Sequence, residues 1–354
     1  MTKRERFLKK ISSDLTVVGG GLSGVCAAVT AARLGLEVLL IHDRPVLGGN
    51  SSSEIRLWVL GASCYGRSPN RYAREGGVME ELYVENRFRN PEGNPVIWDS
   101  LLLDWVSRES RITLLLDTAV FDVEMDSTNS DRIHAVRAFS SFSQTEFFCD
   151  SPLFLDASGD GIVGHLAGAE YRMGRESREE FNESFAPEQD DRAMLGSSIY
   201  FISKKAGKPV RYVPPSFALD ISKTEIPTYR RIDPLENGPE FWWIEYGGQL
   251  DTIHEAGTIK WKLWEIVYGI WDYIKNSGTF EDTENLALEW IGTTAGKRES
   301  RRFLGDVVLT QNDIEAQRRF DDAVAVGGWP IDLHPSEGGF SKNHACNQVH
   351  PDGV

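Results

Sequence analysis

The alternation of apolar and polar positions is most informative near the start of the chain. A short apolar, β-branched run over residues 14–18 predicts a buried parallel strand, and the run over residues 37–41 predicts a second one. The small residues of 25–34 between them suit a helix that Gly35 can end. This order predicts a strand–helix–strand unit of about 30 residues.

Further along the chain, the pattern indicates a second kind of sheet. Helices are predicted around residues 78–88 and 100–107, followed by a strand over residues 112–116. Strand-like runs then alternate with polar turns over residues 119–150, which is typical of an antiparallel meander. A further strand is predicted over residues 152–156. The chain is therefore expected to belong to the α/β class.

A long amphipathic helix is predicted over residues 259–274, because apolar side chains recur there every three or four positions. It carries Trp261, Trp264 and Trp271, which we expect in the core of a helical cap. The alternative interpretation is that the aromatic faces of this region stack on sugar rings.

Two adjacent tryptophans, Trp242 and Trp243, precede that helix. If the segment is a strand, their side chains point to opposite faces, so one of them can line a pocket. After Trp329 the sequence predicts only a polar loop.

Composition narrows the classes of function. The 354 residues include 38 Lys and Arg against 53 Asp and Glu, which gives a net charge of −15. So acidic a chain argues against binding to nucleic acid or to an anionic membrane surface. Four widely spaced cysteines, Cys26, Cys64, Cys149 and Cys346, indicate reduced thiols, and no apolar stretch approaches the roughly 20 residues of a membrane helix. We therefore expect a cytoplasmic protein.

The strongest motif is the GGGLSG sequence of residues 19–24, which lies between the first predicted strand and helix. Gly19 permits the tight turn, Gly21 lets a pyrophosphate approach the backbone, and Gly24 lets the helix pack closely on the sheet. The helix that follows would present free N–H groups to phosphates at its start, and Leu22 and Ser23 of the motif are also expected to contact the cofactor. The motif predicts a dinucleotide site.

Three neighbouring residues are candidates for contact with the ribose of the dinucleotide. Dinucleotide sites of this type expect an acidic residue at the end of the second strand, about 20 residues on. His42 stands at that position, with Asp43 and Arg44 next to it. Either Asp43 or His42 is expected to accept the ribose hydroxyls. Arg44 would suit a 2′-phosphate, although a solvated charged turn is the preferred interpretation.

A second glycine pair follows the second strand in the sequence RPVLGGNSSSE. Gly48 and Gly49 offer backbone donors, and Asn50 and Ser51 offer side chains that could follow a longer cofactor. Arg56 comes soon after them.

A third motif, LDASGDG, ends the strand predicted over residues 152–156 and contains Ala157, Ser158, Gly159 and Asp160. Together, GGGLSG, RPVLGGN and LDASGDG resemble the FAD-dependent oxidoreductases with a glutathione-reductase-like FAD domain. In that family, the first motif holds the pyrophosphate, the second runs toward the flavin, and the third lies near the adenosine. The resemblance implies that FAD is the cofactor.

The resemblance also implies a domain layout. Residues 1–173 would form a Rossmann-like three-layer FAD-binding domain with a β-meander insertion at about 112–150, and residues 174–300 an α+β substrate or cap domain. Residues 301–354 would lead back toward the FAD domain. Members of the family close over the flavin with a further glycine-containing turn, so we expect this chain to be C-terminally truncated.

The function implied is hydride transfer between a small polar substrate, of hydroxylated or sugar-like chemistry, and the flavin, which an unidentified electron acceptor reoxidises. Arg298, His344 and His350 are the candidate catalytic residues, since histidine is the usual proton carrier near neutral pH. The spacing of His344, Cys346 and His350 matches no standard zinc pattern, so no metal is predicted. The alternatives are an NAD(P)-dependent dehydrogenase and a non-catalytic dinucleotide-binding or interaction domain.

Overall fold

A computed structural model describes residues 7–60, 72–325 and 327–343, together with the backbone of residues 347–349. Contacts between Cα atoms divide the chain into two compact units. Unit 1 contains residues 1–53, 75–172 and 301–308, and unit 2 contains residues 54–74, 173–300 and 309–354.

The secondary structure alternates short strands with helices of very different lengths. The strands are β1 (Phe7–Ser12), β2 (Leu15–Val18), β3 (Val38–Ile41), β4 (Ile112–Leu115), β5 (Ala119–Met125), β6 (Ile133–Ser140), β7 (Thr145–Asp150), β8 (Leu153–Asp156), β9 (Tyr171–Arg172), β10 (Ser197–Ser198), β11 (Phe201–Lys205), β12 (Glu245–Tyr246), β13 (Leu286–Ile291), β14 (Arg302–Phe303), β15 (Ile331–Leu333) and β16 (Asn347–Val349). The helices are α1 (Leu22–Arg33), α2 (Gly77–Arg89), α3 (Pro95–Arg108), α4 (Ile162–Leu166), α5 (Arg178–Phe181), α6 (Ile226–Tyr229), α7 (Ala256–Asn276) and α8 (Gln311–Glu315).

Unit 1 is built on a four-stranded parallel sheet with the strand order β4-β3-β2-β8. The predicted strand–helix–strand unit is confirmed as β2, α1 and β3. Val18, the last residue of β2, pairs with Ile41 on one side and with Asp156 on the other. The strands are parallel, so their carboxyl ends lie along one edge of the sheet, where ligands bind in open α/β sheets.

The second sheet of unit 1 has the order β1-β7-β6-β5. The predicted meander is confirmed, because β5, β6 and β7 pair antiparallel. Strand β1 pairs parallel with β7 and was not predicted. Its Lys9 and Lys10 are exposed, and only Ile11 is partly buried against the shared core of the two sheets, so its hydrophobic signal is weak.

Unit 2 packs around α7, which extends the predicted helix by a few residues at both ends. Trp271 is fully buried in its core, and Trp264 is partly buried and donates its indole N–H to the Gly292 carbonyl. Trp261 is 48% exposed, so the prediction that it lies in the core is wrong. The reason is the helical period, which places Trp261 outside the stripe of Ile259 and Leu263.

The segment after Trp329 is more ordered than the predicted polar loop. Strand β15 pairs antiparallel with β16, and a 3₁₀ turn at Gly338–Phe340 lies between them. Arg230 is buried and donates to the carbonyls of Gly338 and Asn343, which fixes this segment within unit 2. In the part of the chain that is described, no helix combines the length and apolarity that a bilayer crossing requires.

Candidate functional site

The three glycine-containing motifs meet at the carboxyl edge of the parallel sheet of unit 1. The Gly48 N–H donates to the carbonyl of Gly20 at 2.8 Å, which joins the second motif to the first. The Ala157 N–H donates to the Val18 carbonyl at 2.7 Å, which places the third motif beside them. Segments more than 100 residues apart in sequence therefore form one backbone-lined cradle.

Close backbone contacts explain why two positions in the first motif are glycine. A Cβ atom on Gly24 would lie 1.8 Å from the Gly19 carbonyl oxygen. Gly19 has a φ of +110°, and a Cβ there would lie 2.1 Å from the Ala157 carbonyl oxygen. Both positions are glycine for packing, as the motif predicts.

Gly21 is different, because its side-chain position is open. It precedes α1 with a φ of −65°, and the nearest atom to a Cβ there would be the Gly49 Cα at 4.0 Å. No described side chain caps this helix, so the N–H groups of Leu22, Ser23 and Gly24 lack helical partners. An open glycine in front of an uncapped helix fits the pyrophosphate of a dinucleotide.

The second motif forms a 3₁₀ turn over Gly49–Ser51, with Gly48 and Gly49 both at positive φ. The Ser51 hydroxyl donates to the Gly48 carbonyl and accepts from the Trp98 indole N–H at 3.0 Å. Ser51 therefore supports the turn, while Asn50 is only half-buried within it.

Both ring nitrogens of His42 form hydrogen bonds with backbone groups. Its ring is 4% exposed; Nδ1 accepts from the Gly20 N–H at 3.0 Å, and Nε2 therefore donates to the Val46 carbonyl at 3.1 Å. Burial lowers the pKa of His42, which keeps the ring neutral. Because both ring nitrogens are used, the structure assigns His42 to holding the turn and leaves no ring atom for a ribose hydroxyl. The neighbouring Asp43 has a side chain that is 66% exposed, and Arg44 lies beside the glycine pair.

In the third motif, the Asp156 carboxylate organises the turn after β8. It accepts hydrogen bonds from the backbone and hydroxyl of Ser158 and from the N–H groups of Val163 and Gly164 at the start of α4. Gly159 has a φ of +84°, and no atom lies within 4 Å of its side-chain position. The Asp160 carbonyl accepts from the Arg301 guanidinium.

Arg56 belongs to unit 2, where its guanidinium lies 4.2 Å from the centroid of the Trp290 ring. It has a positive φ of 66°, which is rare for a residue other than glycine. The structure thus shows Arg56 stacked on an aromatic ring, and its predicted role in cofactor binding stays a prediction.

Unit 2 contains a buried cluster of four charged side chains. Arg298 Nη1 donates to Glu245 Oε2 at 2.9 Å, and the two side chains are 15% and 2% exposed. His334, which is 8% exposed, has Nδ1 2.9 Å from Glu245 Oε2 and Nε2 3.2 Å from Asp332 Oδ2. The other oxygen of Glu245 accepts from the Gly196 N–H at 3.0 Å.

The protonation state of His334 follows from these partners. Burial alone would lower its pKa, but the hydrogen bonds to Asp332 and Glu245 outweigh burial and raise it. As an imidazolium, it donates one N–H to each carboxylate. The Arg298 guanidinium lies 3.2 Å from both ring nitrogens, and its positive charge opposes the rise of the pKa. The pKa of Asp332 is lowered, because its bond to His334 prevails over the opposing effect of burial.

The cluster forms part of the wall of a cavity of about 480 Å³ in unit 2, which we name the tryptophan cavity. It is lined by Leu57, Trp58, Leu60, Pro239, Glu240, Trp242, Arg298, Trp329 and Asp332. Trp242 follows a 3₁₀ turn, so the condition that this segment is a strand is not met. Trp242 nevertheless lines the cavity, and both Trp242 and Trp243 pack against the core of unit 2.

The amino-acid sequence itself identifies the family. It matches the family described as FAD dependent oxidoreductase over residues 14–354. The chain belongs to the FAD-dependent oxidoreductase family. FAD is the cofactor of this family, and the open glycine and uncapped helix of the cradle fit its pyrophosphate.

Solved structures resemble parts of this flavoprotein at low identity. Adenylylsulfate reductase from Archaeoglobus fulgidus is 16% identical, with a TM-score of 0.31 over 44% of this chain and 32% of that one. A geranylgeranyl bacteriochlorophyll reductase-like protein from Thermoplasma acidophilum is 14% identical, with a TM-score of 0.35 over 59% and 52%. The myxobacterial halogenase CndH is 18% identical, with a TM-score of 0.34 over 57% and 46%.

The chain therefore spans about half or less of the length of these three proteins, and such likenesses carry no argument about function. No curated protein matches the sequence.

Of the predicted catalytic residues, Arg298 lies in the charged cluster, while His344 and His350 fall outside the described residues, as do Cys64 and Cys346. Cys26 and Cys149 are free thiols, and burial raises their pKa to about 11 and about 12.

Three members of the cluster, Glu245, Asp332 and His334, were not predicted as site residues. Glu245 follows the aromatic FWWI segment, and the other two lie in WPIDLHP. In the sequence, nothing distinguishes these three from other polar residues near tryptophans.

Proposed function

We propose that this flavoprotein transfers a hydride between FAD and a small polar substrate of hydroxylated, sugar-like chemistry, with a second, unidentified acceptor that reoxidises the flavin. The observation that carries the cofactor half is the cradle of unit 1, in which the open Gly21 precedes an uncapped helix. When bound, FAD supplies the electron-accepting chemistry that protein side chains lack.

Different residues of the cradle would bind different parts of FAD. The N–H groups that follow Gly21 would hold the pyrophosphate, and the backbone of Gly48 and Gly49 would support the chain of the cofactor. With His42 committed to the backbone, the exposed Asp43 is the proposed acceptor for the ribose hydroxyls. The third motif, including Gly159, would lie on the adenosine side.

The substrate half of the proposal is supported by unit 2. Arg298 keeps its proposed place in the substrate site, because it lies in the wall of the tryptophan cavity next to a histidine held between two carboxylates. A buried cluster of this kind in a cavity is typical of functional sites.

A flavin titration and an anaerobic reduction test the two halves separately. Purified protein should be yellow or take up added FAD, and protein that stays colourless with excess FAD would contradict the cofactor half. Anaerobic addition of polyols, sugars and hydroxy acids should then bleach the bound flavin with at least one compound. Bound FAD that no compound of the panel bleaches would favour the non-catalytic dinucleotide-binding domain instead.

A further inference from the structure

We propose that the tryptophan cavity of unit 2 is a binding site for a neutral, polyhydroxylated ligand such as a glycoside, and that Asp332 accepts a hydrogen bond from one of its hydroxyls. The proposal rests on the proposed function, since it names the substrate class and the site of the same reaction. It follows from the walls of the cavity, its charge and one buried oxygen.

The walls suit a sugar ring. Trp58, Trp242 and Trp329 line the cavity and offer flat apolar faces, and the remaining apolar lining is aliphatic. The C–H face of a pyranose packs on such rings, while its hydroxyls need polar partners at the edge. The cavity volume of about 480 Å³ is within the range of about 300–1,000 Å³ that is typical of small-molecule sites.

The charges of the cavity favour a neutral ligand over an acidic one. In the buried cluster, the carboxylates of Glu245 and Asp332 balance the cations Arg298 and His334. Glu240 adds a further carboxylate to the lining, so the wall as a whole is acidic. Among the described lining residues, Arg298 is the single arginine and already donates to Glu245, so a ligand carboxylate would meet like charge at this wall.

One oxygen of the cluster lacks a partner. Asp332 Oδ2 is held by His334, whereas Oδ1 is buried and forms no hydrogen bond of normal geometry with the described residues, although the nearby Trp329 side chain helps to lower the pKa of this carboxylate. A buried acceptor without a donor is unfavourable, and native proteins leave few of them. Asp332 lines the cavity but Oδ1 has almost no accessible surface, so the proposed bond to a ligand hydroxyl requires the carboxylate to rotate toward the cavity when the ligand binds.

Calorimetric titration of the purified protein tests this site directly. The probes are methyl glycosides and neutral disaccharides, each with the uronic acid of the same sugar. We expect a neutral glycoside to bind, the matching uronate to bind more weakly, and Asp332→Asn to weaken the glycoside by about tenfold or more, as expected for loss of a hydrogen bond to a charged group.

A matched control is available in the same unit. Asp251 contacts His254 through Oδ2 at 2.8 Å on an exposed surface, so Asp251→Asn also removes a carboxylate from a histidine pair. This variant should bind the glycoside as the wild type does. Trp58→Leu tests the aromatic wall at a side chain that is nearly half exposed and should also weaken binding, with thermal melting as the check that the variant is folded.

Three results would overturn the proposal: no neutral glycoside of the panel binds, uronates bind as tightly as neutral sugars, or Asp332→Asn binds as the wild type does. Its failure can be separated from failure of the proposed function, because FAD uptake and chemical reduction of the flavin are measured on the same samples. Protein that binds the glycoside through Asp332 but never takes up FAD would support the glycoside site and contradict the proposed reaction.

Discussion

Each of the two units of this flavoprotein contains a buried histidine, and the pKa values of these two histidines are shifted in opposite directions. In unit 1, His42 accepts from one backbone N–H and donates to one carbonyl, and burial lowers its pKa. In unit 2, His334 lies between Glu245 and Asp332, which raise its pKa despite burial. The hydrogen-bond partners account for this difference between two residues of the same type: backbone groups surround His42, whereas two carboxylates contact His334.

The same contrast applies to the two sites as wholes. The cradle of unit 1 is built from backbone groups, in which glycines allow close packing of the three motifs and the first N–H groups of α1 have no side-chain cap. The tryptophan cavity of unit 2 is built from side chains, with aromatic walls and a charged cluster. Substitutions should therefore act through steric fit in unit 1 and through charge balance in unit 2.

The largest effect is expected at Glu245, which joins both cations of the cluster. Replacing Glu245 with Gln leaves Arg298 and His334 buried with only Asp332 as a counter-charge, so the free energy of unfolding should fall by about 3 kcal/mol. Chemical denaturation followed by tryptophan fluorescence measures this change.

An exposed ion pair of the same unit provides the control. Glu289 lies 3.1 Å from Lys204 on the surface, and Glu289→Gln should cost less than about 1 kcal/mol. Equal losses for the two variants would show that the buried cluster has no special role in stability.

Steric fit in unit 1 should give the next largest effect. Gly24→Ala places a Cβ 1.8 Å from the Gly19 carbonyl oxygen, and the overpacked turn should lose about 2–3 kcal/mol. Gly76→Ala is the control, since no atom lies within 4 Å of that side-chain position. Thermal melting compares the two variants, and a Gly24→Ala protein as stable as the wild type would show that the turn relaxes freely.

The contrast between the sites also explains what the sequence could predict. The motifs around Gly19, Gly48 and Ala157 were found because a backbone-built site needs glycines at fixed local spacing. The cluster of unit 2 joins Glu245, Arg298 and His334, and no local spacing marks residues so far apart along the chain. Only folding brings them together.

Departures elsewhere have similar physical causes. Strand β1 carries exposed lysines and is held in the sheet by pairing with β7. Such tertiary pairing is not visible in the local pattern of apolar and polar residues. His42 was one of two candidates for the ribose, with Asp43, because of its position after β3. Its ring turns inward, where the Gly20 N–H and the Val46 carbonyl satisfy both nitrogens.

A smaller effect is expected in the dependence of the free energy of unfolding on pH. His334 has a raised pKa, so its contribution is complete below the unfolded value of 6.5 and is lost as the pH rises through the folded value. His42 has a lowered pKa, so its contribution is complete above 6.5 and is lost as the pH falls toward the folded value.

Denaturation at a series of pH values measures both slopes. His334→Gln should remove the loss of stability above pH 6.5, and His42→Gln should remove the loss below it. If both variants change the profile on the same side of pH 6.5, the two pKa values are not shifted in opposite directions.

The most direct test of the account is the affinity for FAD of a variant with a blocked cradle. Gly21→Ala fits the protein itself, because its Cβ meets no atom closer than 4.0 Å, yet it fills the position where the pyrophosphate must approach the backbone. We predict an unchanged melting temperature without added FAD and a dissociation constant for FAD raised by about tenfold or more, with Gly76→Ala unchanged in both. Wild-type affinity in Gly21→Ala would contradict the assignment of the cradle as the FAD site.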